Sequence, residues 1–261
     1  MNEKQGKIII RDTPSQAAAA AADLFAGTAR DCVSDKGFFT VAVSGGSTPG
    51  PMHRMLAKEP YRWGVPWNKT HIFWVDERRV PENDPQSNYG AAKQDILDRV
   101  DIPREQIYPV FDGDSPGEWA LKYQKKIIDF FQLKEGQYPI FDLIFLGLGT
   151  DGHTASLFPG QRALEERENF VVAVKGGDPY VNRLTMTLPV LNRARQIVFL
   201  VSGKEKAEIL RTVLGDNQAR LPAQKIHALG GELTWILDKE AASLLPARAD
   251  LKNLMHSWSS P

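Results

Sequence analysis

Three short segments of the chain concentrate the residue types that can do chemistry. The strongest is Gly147-Leu148-Gly149-Thr150-Asp151-Gly152-His153-Thr154, where a histidine follows a glycine-rich stretch and an aspartate stands two positions before it. Imidazole takes up and releases a proton near neutral pH, and a carboxylate on one ring nitrogen fixes which nitrogen is free to act. His153 therefore reads as a general base and Asp151 as the group that orients it, with capping of the turn as the plainer role for Asp151. In Asp76-Glu77-Arg78-Arg79, opposite charges follow an aromatic-rich apolar run, and Asn83, Ser87, Asn88 and Tyr89 continue a long polar loop. A charge run is usually a solvated loop, but long loops in compact domains are often functional. In Ser44-Gly45-Gly46-Ser47-Thr48-Pro49 the glycines allow close backbone approach to an anion, and the helix start after them offers free N–H groups. Ser47 and Thr48 add hydroxyl donors, or cap that helix. The segment matches neither a P-loop nor a dinucleotide fingerprint, which argues against ATP and NAD. The other histidines, His53, His71, His227 and His256, read as structural or surface residues.

These segments need elements to hold them. Residues 15–33, with the alanine run 17–22, predict a helix, and so do residues 117–131 and 204–214; Pro49 suits the first turn of another helix running through Met52, Met55 and Leu56. Apolar runs at 38–43, 71–75 and 141–146 predict buried strands, and 170–174, 183–187, 196–201 and 234–237 are further strand candidates. Runs without alternation, separated by helices, imply an α/β fold with a mainly parallel central sheet covered on both faces. Ligands of such sheets bind beyond the carboxyl ends of the strands, and all three chemical segments lie where a predicted strand stops.

The chain has 261 residues, with 32 Lys+Arg against 32 Asp+Glu, 42% hydrophobic residues and one cysteine, Cys32. Neutrality removes the electrostatic footprint of a nucleic-acid or membrane-surface binder but leaves room for a small anion held by a local basic cluster. No apolar run nears the ~20 residues of a membrane span, and the run Ile8-Ile9-Ile10 is too short for a signal-peptide core. A single cysteine suits a reducing compartment, and a cytoplasmic location is expected. No linker or repeat divides the chain, so residues 1–261 read as one domain, with 246–261 a polar C-terminal tail.

At these residues the chain resembles the 6-phosphogluconolactonase family, within the superfamily that also holds glucosamine-6-phosphate deaminases. The resemblance rests on Val43-Ser44-Gly45-Gly46-Ser47-Thr48-Pro49, Val75-Asp76-Glu77-Arg78, Ser87-Asn88-Tyr89 and the block from Gly147 through Asp151-Gly152-His153 to Pro159. Arg183-Leu184-Thr185, Leu188-Pro189-Val190-Leu191-Asn192 and the segment from Gly203 to Ala207 continue it. It spans nearly the whole chain, from about residue 8 to about 245. In deaminases the Asp-Gly-His block typically ends Asn-Glu-Pro, and that Glu serves acid/base steps on an amino sugar. Here Leu157-Phe158-Pro159 stands in those places, and Arg78 after Asp76-Glu77 is also lactonase-like.

The resemblance implies a Rossmann-like three-layer sandwich that hydrolyses 6-phospho-D-glucono-1,5-lactone in the oxidative pentose phosphate pathway. It also implies His153 as base, Asp151 as its support and Arg78 as a holder of substrate oxygens or of the oxyanion. Gly45, Gly46, Ser47 and Thr48 would cradle the phosphate, Arg183 and Lys206 would complete its site, and Asp76, Gly149 and Gly152 would line the substrate. Many lactonases carry a Ser-Pro-Lys-Pro-Pro-like segment before the Arg-x-Thr strand. Here it reads Lys175-Gly176-Gly177-Asp178-Pro179, and Lys175 is the candidate replacement for the family's lysine. A δ-lactone is an activated ester, so no metal and no cofactor are expected, and without a Gly-x-Ser-x-Gly elbow no acyl-enzyme is expected. The expected partner is the phosphosugar lactone alone, with no nucleic acid or membrane, in a monomer or small homo-oligomer. The alternatives are a deaminase-like enzyme and a non-catalytic phosphosugar sensor.

Overall fold

The structure, a computed structural model, describes residues 6–46, 48–110, 115–216 and 218–246. Of the residues singled out above, Ser47, His256 and all of the C-terminal tail except Pro246 lie outside the described residues. In chain order the elements are β1 (Lys7–Arg11), α1 (Pro14–Lys36), β2 (Phe39–Val43), α2 (Pro49–Leu56), α3 (Tyr61–Gly64), β3 (Thr70–Trp74), β4 (Asp76–Arg78) and α4 (Asn88–Asp95). They continue as α5 (Pro116–Phe131), β5 (Leu143–Leu146), β6 (Val171–Gly176), β7 (Val181–Met186), α6 (Leu188–Leu191), β8 (Gln196–Val201), α7 (Ala207–Gly215) and β9 (Glu232–Asp238).

Local chemistry sets the helix ends. Thr13 accepts the Gln16 N–H in front of Pro14, and Gly37, left-handed at φ 86°, returns its N–H to Val33 O, so α1 runs three residues past its expected end. Its buried stripe is mostly alanine (Ala17, Ala18, Ala21, Ala22, Ala26 and Ala29), which lets the helix lie close on the sheet. Ser115 caps α5 through the Glu118 N–H. The stretch predicted as one helix from 204 begins as a 3-10 turn, Lys204–Lys206, before α7.

Six strands form a parallel sheet in the order β1-β9-β8-β5-β2-β3. Every residue of β2 and β5 is buried, as a sheet covered by helices on both faces requires. The isoleucine run at 8–10 is an edge strand of this sheet, paired with β9. Among the described residues no helix is long and apolar enough to cross a membrane.

Two sequence expectations are corrected here. The stretches at 170–174 and 183–187 do not join the parallel sheet; with β4 they build a separate antiparallel sheet, β4-β7-β6. The physical reason is connection length, because four residues between Gly176 and Val181 permit a hairpin but not a crossover. Likewise Asp76-Glu77-Arg78 is not a loop but the short strand β4, with Asp76 and Glu77 buried. The Val75 N–H bonds Val43 O and the Met186 N–H bonds Val75 O, so the small sheet is joined to the large one where β3 ends.

Candidate active site

The chain after β5 folds into a tight ring. The Gly149 N–H reaches His153 O at 2.8 Å, the Gly152 N–H reaches Gly149 O at 3.0 Å, and the Thr154 hydroxyl donates to Gly147 O at 2.9 Å. Two glycines have no substitute here. Gly152 is left-handed at φ +81°, and a Cβ on Gly149 would sit 2.1 Å from His153 Nδ1. Just beyond the ring, Ala155 holds φ 50°, a strained value for a residue with a side chain.

This ring fixes His153. His153 Nδ1 lies 2.5 Å from Asp151 Oδ1, and the same oxygen accepts the His153 backbone N–H at 3.0 Å. Asp151 therefore does both jobs proposed for it, orienting the imidazole and capping the turn. With the Nδ1–H assigned by its carboxylate partner, Nε2 carries the lone pair. Burial pushes the Asp151 carboxyl up, but hydrogen bonds from the His153 backbone and ring, with electrostatic attraction to that residue, outweigh it, and the net displacement is below the ordinary aspartate value. The His153 side chain stays 28% exposed, open to a water or substrate.

The small sheet supplies the charged wall. Its register sets Asp76 opposite Thr185 and Arg78 opposite Arg183, so these four side chains share one face. Ser156, three residues past His153, ties that face to the histidine ring: its hydroxyl donates to Asp76 Oδ2 at 2.7 Å and its N–H to Thr185 Oγ1 at 3.2 Å. Phe158 makes a second link, with its ring 4.7 Å from the His153 ring and 5.5 Å from the Arg183 guanidinium. Arg183 is 3% exposed and is held by Gly176 O at 2.8 Å, while Arg78 is held by Gln86 O at 2.7 Å. Among the described residues neither arginine forms an ion pair with a carboxylate. Burial, with the Arg78 charge across the strand pair, lowers the Arg183 pKa. Facing guanidiniums anchored only on neutral carbonyls keep their charge and favour an anion beside them.

The glycine loop lies beside this wall. Ser44 donates to Phe145 O at 2.9 Å, which pins the end of β2 to β5. Gly46 is left-handed at φ +96°, and Gly45 has no room for a Cβ, which would fall 1.8 Å from Asn88 Oδ1. Thr48 makes no capping bond to α2, so the plain helix-cap reading fails for its hydroxyl. Lys206 follows β8, the neighbour of β5, on the same carboxyl edge. Among the described residues no hydrogen bond or ion pair joins Lys206 to the other candidates. Lys175 pairs with Asn182 while Val174 pairs with Arg183, so Lys175 points away from the arginine face and lies over the Tyr180 ring at 5.1 Å. The geometry thus contradicts its candidacy as a replacement lysine.

Sequence reasoning gave no role to Ser156, Thr185, Asn88 or Glu77, and read Phe158 only as the absence of an acid. Asn88 donates to Asp76 O at 2.8 Å, and Glu77 is fully buried behind the arginine face. All five stand inside the motifs already singled out, and strand alternation from Asp76 and Arg78 would have turned Glu77 inward. Of the plainer histidines, His53 is buried and its pKa is lowered to about 4 by that burial, which keeps it neutral.

Residues 12–235 match the model of the family described as glucosamine-6-phosphate isomerases/6-phosphogluconolactonase. The chain belongs to that family. A member from Synechocystis sp., named 6-phosphogluconolactonase, is 42% identical over 217 residues, covering 82% of this chain and 87% of the relative. A protein of Oryza sativa subsp. indica, named "Probable 6-phosphogluconolactonase 4, chloroplastic", is 36% identical over 249 residues, covering 92% of this chain and 76% of the relative. The solved structure of 6-phosphogluconolactonase from Trypanosoma cruzi has a TM-score of 0.82 at 30% identity, covering 95% of this chain and 100% of that one. The six-stranded parallel sheet with its flanking helices is thus this family's fold, and its carboxyl edge carries the histidine, the glycine loop and the facing arginines.

Proposed function

We propose that the chain hydrolyses 6-phospho-D-glucono-1,5-lactone to 6-phosphogluconate, the reaction for which its relatives are named. The observation that carries the reading is the His153–Asp151 pair, 2.5 Å apart, beside a wall with two facing arginines. Nε2 takes a proton from water as the water oxygen bonds to C1. The carbonyl oxygen becomes an oxyanion, which Arg78 stabilises. The C1–ring-oxygen bond then breaks, His153 returns the proton to the departing ring oxygen, and the new carboxylic acid loses its proton to solvent. The Gly45 and Gly46 backbone with Thr48, Arg183 and Lys206 binds the phosphate, Arg183 as a planar fork and Lys206 as a point charge. Asp76, Gly149 and Gly152 line the sugar.

Phe158 argues for the lactonase over the deaminase. Its ring rests on His153 at the place where the deaminase-type block carries a glutamate, so that position offers no acid. A reducing, cytoplasmic setting is our reading from the single Cys32, whereas the rice relative's name places that protein in the chloroplast.

Freshly generated lactone tested beside glucosamine 6-phosphate separates the readings. Turnover of the lactone alone is expected, whereas release of ammonia from the amino sugar, or no turnover at all, would overturn the proposal. In the same assay Arg183→Ala and Lys206→Ala are each expected to raise KM by about tenfold or more, as loss of a charge-assisted hydrogen bond implies.

A further inference from the structure

Glu77 is a carboxylate next to the site that the chemistry above leaves unused, and it is 0% exposed. Strand alternation turns it to the face opposite Asp76 and Arg78, so it touches neither substrate nor base. Its two oxygens are nonetheless fully committed. Oε1 accepts the N–H groups of Arg78 at 2.7 Å and Asn88 at 2.8 Å. Oε2 accepts the Tyr89 N–H at 2.8 Å and the Ser87 hydroxyl at 3.3 Å. A single buried carboxylate therefore bridges the strand carrying Arg78 to the first turn of α4.

The bonds around it run between the same two segments. Asn88 Nδ2 donates back to Asp76 O, and Arg78 Nη1 reaches forward to Gln86 O. Residues 76–78 and 86–89 are thus zipped together, with Glu77 supplying the bonds on the inner face. β4 is only three residues long and pairs with β7 alone, too little to hold a long guanidinium in one place.

We propose that Glu77 is a positioning residue for lactone hydrolysis, clamping β4 to the N-terminus of α4 so that Arg78 is held at the oxyanion. The inference rests on the function and the Arg78 role proposed above. A glutamine here cannot replace the carboxylate. Its amide NH2 must face either the Arg78 and Asn88 N–H groups or the Tyr89 N–H and Ser87 hydroxyl, so in either orientation N–H meets N–H and the clamp opens.

A double-mutant cycle tests this, with kcat and KM measured for wild type, Glu77→Gln, Arg78→Ala and the double variant, and the folded fraction checked by circular dichroism. Arg78→Ala is expected to lower kcat by ~10²-fold, the typical loss of one oxyanion donor, and Glu77→Gln by about tenfold with KM little changed. In the Arg78→Ala background Glu77→Gln should then change kcat less than about threefold. A residue that only supports the fold would lower kcat by the same factor in both backgrounds, and that outcome overturns the inference while leaving the proposed function standing. If Arg78→Ala keeps wild-type kcat, the Arg78 assignment and the inference both fall. If Glu77→Gln does not fold, Ser87→Ala, which deletes one of the four donors, runs the same cycle: a smaller but non-additive loss supports the clamp, and a multiplicative one refutes it.

Discussion

At the scale of single residues, the site depends on which atoms are already committed. His153 Nδ1 belongs to Asp151, which leaves Nε2 as the ring nitrogen open to a partner. Both oxygens of Glu77 belong to the backbone and hydroxyl groups around β4 and α4. Burial pushes the Glu77 carboxyl up to about 7 from its ordinary 4.5, against the hydrogen bonds from Tyr89, Asn88 and Arg78, with Asp76 adding to the rise. Asp76 and Arg78 on β4, Arg183 on β7, Tyr89 on α4 and Tyr123 on α5 surround it. The four donors offset only part of the cost of burying the charge, so the ionised form makes the clamp but weighs against the fold relative to the protonated carboxyl. The contribution of the protonated form is whole below about pH 4.5 and is lost as pH climbs through about 7, in all roughly 3 kcal/mol. Denaturant unfolding of wild type and Glu77→Gln at pH 5 and pH 8 checks this: the stability margin of wild type should narrow at the higher pH, and a constant margin would contradict it.

At the scale of elements, the turn after β5 and the hairpin β6–β7 do the positioning. Gly149→Ala is expected to push the imidazole off Asp151, because the added methyl falls on Nδ1, and to lower kcat by ~10²-fold or more while the thermal midpoint moves by only a few degrees. Retained kcat in this variant would show that the ring geometry does not set the base. The parallel strands and the long helices were legible because buried apolar runs and amphipathic spacing persist over many residues. The small antiparallel sheet was not. Val171–Gly176 and Val181–Met186 have the composition of any strand, and only the short link between them marks a hairpin. β4 is charged and three residues long, so no propensity announces it; pairing with β7 makes it a strand.

At the scale of the molecule, 32 basic and 32 acidic residues cancel, yet Arg78 and Arg183 face each other without a carboxylate pairing among the described residues. The neutral total thus hides two facing guanidiniums beside the carboxyl edge of the sheet, whereas the sequence reading grouped Arg183 with Lys206 and set Arg78 apart. His153, Asp151, Arg78 and Arg183 were legible from their motifs. Their partners Ser156, Phe158 and Glu77 became meaningful only once tertiary pairing brought residues 76–78, 153–158 and 183–185 onto one wall. The central claim is that His153 is the base, and it is tested most directly by comparing lactone hydrolysis by wild type and His153→Ala after subtracting the spontaneous rate. A fall of ~10²–10⁴-fold in kcat is expected from loss of a general base, with KM little changed. A variant that stays within a few-fold of wild type would contradict the claim.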